Sequence, residues 1–156
     1  MPGQEDENPS GSQALQPRHR ARQAALQILY QWEVGRTPIG EAAETYWLVV
    51  SGEPPADVRR LAVRLALGTV ADLERIDALL EASTEHWRVG RMAAVDRLIL
   101  RMAVYQLLAE RDTPRPVIIN EALELARTFS GDESVAFVNG VLDAIRRKLD
   151  DDAAGT

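Results

Sequence analysis

The chain's 156 residues suffice for one hydrophobic core, and an apolar content of 46% with only 5% aromatic residues, carried mostly by Ala, Leu, Val and Ile, favours an all-α fold. With no cysteine and two histidines, disulfides, thiolate zinc sites and cysteine nucleophiles are excluded; with no secretory leader and no run near the roughly 20 apolar residues that span a membrane, a soluble cytoplasmic protein is expected. The formal charge of -6 is uneven, because Glu5, Asp6 and Glu7 lie in one tail and Asp150, Asp151 and Asp152 in the other, leaving the chain between them formally neutral.

Residues 1–16 mix Pro, Gly, Ser, Gln and acids without periodicity and predict a disordered acidic extension. From Arg18 the spacing of Ala21, Ala24, Ala25, Ile28, Leu29 and Trp32 predicts an amphipathic helix ending near Gly35. Residues 17–36 also hold Arg18, Arg20, Arg22 and Arg36 against the single acid Glu33, a local basic patch. A second helix is predicted from Pro38 to Val50, stopped by Ser51, Gly52 and the Pro54-Pro55 pair. A third runs from Ala56 to about Ser83, with a bend or split expected at Gly68-Thr69. The segment 84–90, with His86 and Trp87 read as boundary packing, is left unassigned.

From Arg91 to Ala109 the chain is apolar almost all round, which places this helix at the centre of a bundle. Pro116 opens a helix to Phe129 that Gly131 closes. A last helix begins near Asp132 with Val138, Val141, Leu142, Ile145 and Leu149 as its buried stripe, and residues 150–156 form an acidic tail. The body of the protein is thus one helical domain over residues 17–149.

Three features admit more than packing. On the first helix His19, Arg22, Leu26 and Tyr30 form a second stripe, which either meets phosphates and unpaired bases or is covered by a neighbouring helix. In the last helix Phe137 flanks the buried stripe while Asn139 and Gly140 fall outside it. That arrangement suits base stacking with edge recognition, or core extension with Gly140 admitting a close neighbour. Asp96 interrupts the oily central helix and is exposed, paired with Arg97 or Arg101, or held at a partner interface, since an unpaired buried carboxylate costs several kcal/mol. No glycine pattern makes a P-loop or dinucleotide fingerprint, the histidines suggest no triad or metal site, and neither catalytic residues nor a cofactor is expected.

Three segments together resemble the NusB family: Arg20-Ala21-Arg22-Gln23-Ala24-Ala25-Leu26-Gln27-Ile28-Leu29-Tyr30-Gln31-Trp32, Val95-Asp96-Arg97-Leu98-Ile99-Leu100-Arg101-Met102-Ala103-Val104-Tyr105, and Ile119-Asn120-Glu121-Ala122-Leu123-Glu124-Leu125-Ala126 followed by Ser134 and Phe137-Val138-Asn139-Gly140-Val141-Leu142-Asp143. The resemblance implies a seven-helix, two-subdomain bundle that joins NusE, a ribosomal small-subunit protein, to bind the boxA element of nascent RNA. Such a factor supports antitermination within the transcription elongation complex, notably on ribosomal RNA operons. It implicates Arg18, Arg20, Arg22, Ser134, Phe137 and Asn139 in RNA contact, and Tyr30 and Asp96 in NusE contact. It also leaves a homodimer open, since self-pairing could hide the RNA surface. The chain departs from the family where a basic residue often precedes the matched Phe, here Ala136, and where His19 interrupts the arginine run.

Two other functions remain open at this stage. One is an RNA-targeting domain related to that of ribosomal RNA cytosine methyltransferases, disfavoured by the lack of cysteines and of a Gly-rich cofactor loop and by the polar tail ending at Thr156. The other is a protein-interaction scaffold that does not touch RNA.

Overall fold

Prolines and glycines cut the chain into its helices. The computed structural model describes residues 9–50, 52–84 and 88–155. Among these the elements are α1 (Pro9–Glu33), α2 (Ile39–Val49), α3 (Ala56–Ala71), α4 (Leu73–Ser83), a 3-10 turn at Val89–Arg91, α5 (Ala94–Ala109), α6 (Arg115–Phe129) and α7 (Asp132–Ala154). Pro38, Pro55 and Pro114 each stand just before a helix with φ between -52° and -56° and extended ψ, so the ring presets the entry while its missing N–H costs nothing there. Gly131, at φ +126°, links α6 to α7 in a conformation that an L side chain rarely adopts.

Four boundaries differ from the sequence-based expectation. Helix α1 begins at Pro9, with Pro17 inside it, so residues 9–16 are helical in backbone where an extension was expected; residues 1–8 lie outside the described residues. Proline ordinarily marks a first turn, which is why the periodicity pointed to a start beside it. The long third helix breaks at Asp72 instead of Gly68-Thr69, and Asp72 N–H bonds to the Gly68 carbonyl. Helix α5 starts at Ala94, after the 3-10 turn, and residues 85–87, with His86 and Trp87, lie outside the described residues. Helix α7 continues through Asp150, Asp151 and Asp152, because Asp150 is held by Arg115 of α6 and by Arg146 one turn earlier.

Helices α1, α2 and α3 pack on one another, as do α4, α5, α6 and α7, and the groups meet where α5 lies against α1 and α3. As expected for a central helix, nine of the sixteen α5 residues are buried, Arg101 and Gln106 among them. Arg101 is tolerated there because Asp77 of α4 accepts two bonds from its guanidinium, at 2.8 and 2.9 Å, and Glu33 of α1 accepts another at 2.8 Å. Burial alone would lower the Arg101 pKa, but Asp77 and Glu33 together raise it above the ordinary value. Among the described residues no helix is long and apolar enough to cross a membrane.

Candidate nucleic-acid and partner interface

The arginines in the middle of α1 divide into outward and inward cations. Arg20 is exposed. Arg18 is half exposed, with Nη2 donating to Glu110 Oε2 at 3.3 Å and lying 3.6 Å from Glu121 Oε1. Arg22 corrects the expectation of a phosphate contact, because only 1% of it is exposed and its guanidinium pairs with Glu121 of α6 and donates to the Arg18 carbonyl. With its amide oxygen turned toward the guanidinium, Gln106 of α5 accepts from Arg22 Nε at 3.2 Å. Burial, then the neighbouring Arg18 charge, lower the Arg22 pKa from its ordinary value to about 10, so at neutral pH it is a buried cation neutralised inside the fold.

The reason is the position of α6. It covers the stripe read as outward-facing: Leu26 is buried and His19 Nδ1 lies 3.5 Å from Glu124. A helix contacted by α2, α3, α5 and α6 has little surface left for a second exposed stripe. Tyr30, 42% exposed, remains outward, in a groove between α1 and α2 with Gln27, Gln31, Thr37 and Tyr46, and His19 stays half exposed.

On α7, Ser134 and Phe137 line a cleft together with Arg91, Met92 and Asp96, while Asn139 is exposed. Phe137 is partly buried against the core, as the core-extension reading of it expected. Gly140 does not admit a packed neighbour: a Cβ built on it meets nothing within 4 Å. A glycine inside an exposed helix costs roughly 0.5–1 kcal/mol relative to alanine, and no contact within the fold requires it.

Asp96 is half-buried and is paired with neither Arg97 nor Arg101. Its Oδ1 accepts from Ser130 Oγ at 2.8 Å and its Oδ2 from Ser134 Oγ at 3.0 Å. Arg97 instead donates to Glu33 at 2.9 Å and to the Met92 carbonyl at 2.8 Å, which leaves it no fork for Asp96. The structure therefore joins Asp96 to Ser134 and Phe137 and leaves Tyr30 in a separate groove.

Arg18 lies beside Glu110 and Phe137 shares a cleft with Asp96, at opposite ends of α5; the fourteen intervening steps of helix rise correspond to about 21 Å. The arginines and the α7 edge thus bracket a length of surface. Two features escaped the sequence reading. Exposed Arg91, read from the sequence as the first residue of the central helix, ends the 3-10 turn before it and lines the α7 cleft. Leu48 and Val49 near the end of α2 are 82% and 84% exposed, and Val49 lines the Tyr30 groove. Their signal was an apolar pair at the end of a helix too short to bury every side.

A seven-helix bundle with exposed and half-exposed arginines on its first helix, a partly buried aromatic on its last, and a groove between its first two helices places the chain among small all-α proteins with surfaces of the kind that nucleic-acid binders carry. Comparison narrows the class. The model of the NusB family matches residues 19–147, and the chain belongs to the NusB family of transcription antitermination proteins. It is 48% identical over 132 residues to the transcription antitermination protein NusB of Solibacter usitatus, covering 85% of this chain and 90% of that one. The NusB of Koribacter versatilis is 44% identical over 133 residues, with the same coverage. Among solved structures, T. maritima NusB superposes with a TM-score of 0.76 at 34% identity, covering 83% of this chain and 90% of that one. A chain from the crystal structure of antitermination factors NusB and NusE in complex with dsRNA superposes with a TM-score of 0.77 at 26% identity, covering 85% and 98%. The seven-helix NusB-like fold is therefore that of this protein.

Proposed function

We propose that this antitermination protein binds the boxA element of nascent RNA together with NusE, in the cytoplasm and within the transcription elongation complex, with ribosomal RNA operons as its main targets. The observation that carries the reading is its likeness, over nearly the whole partner chain, to a NusB solved with NusE and dsRNA. The surface supports it. Arg18 and Arg20 offer cations to phosphates from one end of α5, and Ser134, Phe137 and Asn139 offer a hydroxyl, a ring and an amide to bases at the other. Arg22 serves the RNA surface indirectly, anchoring the helix that bears the two arginines. The Tyr30 groove, extended by Val49, is the seat for NusE, since an aromatic with a polar tip fills a partner pocket while its hydroxyl stays satisfied.

The test is binding of boxA and scrambled RNA across a salt series, with and without NusE, at protein concentrations where self-association is followed in parallel. Preference for boxA that steepens with NusE supports the proposal; equal affinity for both RNAs in both conditions refutes it. Phe137→Ala should weaken boxA binding by about 1–3 kcal/mol through lost stacking.

A further inference from the structure

The joint between α6 and α7 consists of two residues, Ser130 and Gly131, with Gly131 at φ +126°. A glycine hinge has little stiffness of its own. Across it lies the Asp96 carboxylate, accepting from Ser130 Oγ at 2.8 Å on the α6 side and from Ser134 Oγ at 3.0 Å in the first turn of α7. One side chain on α5 thereby ties together the end of one helix and the start of the next. Hydroxyl-to-carboxylate bonds are charge-assisted and roughly twice as strong as neutral ones. Ser134 and Phe137 are three residues apart on α7, hence neighbours on its surface, and both line the cleft that Asp96 lines. A shift in the first turn of α7 moves Phe137 with it.

We infer that Asp96 is a positioning residue for the α7 face: through the two serine hydroxyls it clamps the α6–α7 joint, and so sets where Phe137 and Asn139 meet RNA. The inference rests on the proposed RNA reading of α7 and adds the device that holds that face. It gives Asp96 a second role beside the NusE contact that the family resemblance implies. Partner binding and RNA binding then draw on one carboxylate, and each alters the free energy of the other.

The test uses the full chain without NusE, with a boxA oligonucleotide as probe and amide hydrogen exchange over residues 131–138 as a second readout. Asp96→Ala should speed exchange there and weaken RNA binding about tenfold, the scale of a lost charge-assisted hydrogen bond. Ser130→Ala combined with Asp96→Ala should weaken it no further than Asp96→Ala alone, since both open the same clamp. Asp96→Asn should restore most of the RNA affinity, because an amide oxygen accepts from one serine and the amide N–H donates to the hydroxyl oxygen of the other, while it weakens the charge pairing with NusE. If Phe137→Ala lowers RNA affinity and Asp96→Ala does not, the α7 face stands and the clamp is overturned. If Phe137→Ala has no effect either, the RNA assignment of α7 fails and the inference falls with it. Tighter RNA binding by Asp96→Ala also overturns it, since the carboxylate would then oppose RNA instead of shaping its site.

Discussion

Arg20 and Arg22 stand two positions apart on α1 and differ in what sets their chemistry. Arg20 is exposed and free to meet a phosphate, whereas Arg22 is enclosed by Glu121, Gln106 and the Arg18 carbonyl. Removing the Arg22 cation leaves the largely buried Glu121 with only the half-exposed Arg18 at 3.6 Å, and breaking a buried pair from one side costs up to about 3–5 kcal/mol. Arg22→Met should therefore lower urea stability by about that amount, and Arg22→Met with Glu121→Leu should recover much of it. Arg20→Ala should leave stability within about 0.5 kcal/mol of the parent, while it weakens RNA binding and reduces the salt slope by about one. The folded pKa of Arg22, about 10, lies below the ordinary value it takes in the unfolded chain. Its linkage therefore raises stability only as pH climbs through that interval, and it adds no slope near neutrality.

Element packing turns on close approaches that a single methyl group would disturb. A Cβ on Gly68 of α3 would stand 2.2 Å from Cζ of Tyr105 on α5, so these helices meet at a distance only glycine allows. Gly68→Ala gains up to about 1 kcal/mol of helix propensity but forces the Tyr105 ring aside, an overpacking cost of about 1–3 kcal/mol. The net expectation is destabilisation, measured by urea unfolding and reversed in sign when Tyr105→Leu is combined with it. On α7, a bond from Arg146 holds the Asp143 carboxyl below its ordinary value, despite the opposing effect of burial, and Arg147 adds to the lowering. A depressed carboxylate stabilises the fold above its unfolded pKa of 3.8 and loses that contribution as pH falls through the lower folded value. Carboxyl NMR should place the Asp143 midpoint below 3.8, and Arg146→Ala should move it back toward that value.

At the scale of the molecule, Tyr30 is separable from the α7 face by mutation because it lies in a different cleft. Tyr30→Asp should weaken NusE binding and leave both thermal stability and partner-free RNA affinity unchanged, since Tyr30 is exposed and remote from the α7 cleft. Calorimetry with NusE beside RNA titrations of the same variant checks this; loss of RNA affinity without NusE would mean that the α1–α2 groove belongs to the RNA surface. An acidic chain can still hold RNA when its cations are clustered, and short-range contacts then matter more than net charge, so affinity should fall with salt by few units of slope.

The all-α class, the order of the helices and most of their buried faces were legible in the sequence. Apolar spacing is a local property, and Val138, Val141, Leu142 and Ile145 are buried as their periodicity required. Proline and glycine marked most helix ends for the same reason. The resemblance to the NusB family was legible too, in three segments that matter only in combination. Tertiary structure alone decided which charges face water. Arg22 lies inside because α6 arrives from about a hundred residues further along the chain, and Asp96 bonds to Ser130 and Ser134 instead of its own neighbours because the α6–α7 joint folds back over α5. Periodicity reports a helix's faces, but the partner of a charged side chain is set by which distant element covers that face, and no local spacing carries that information.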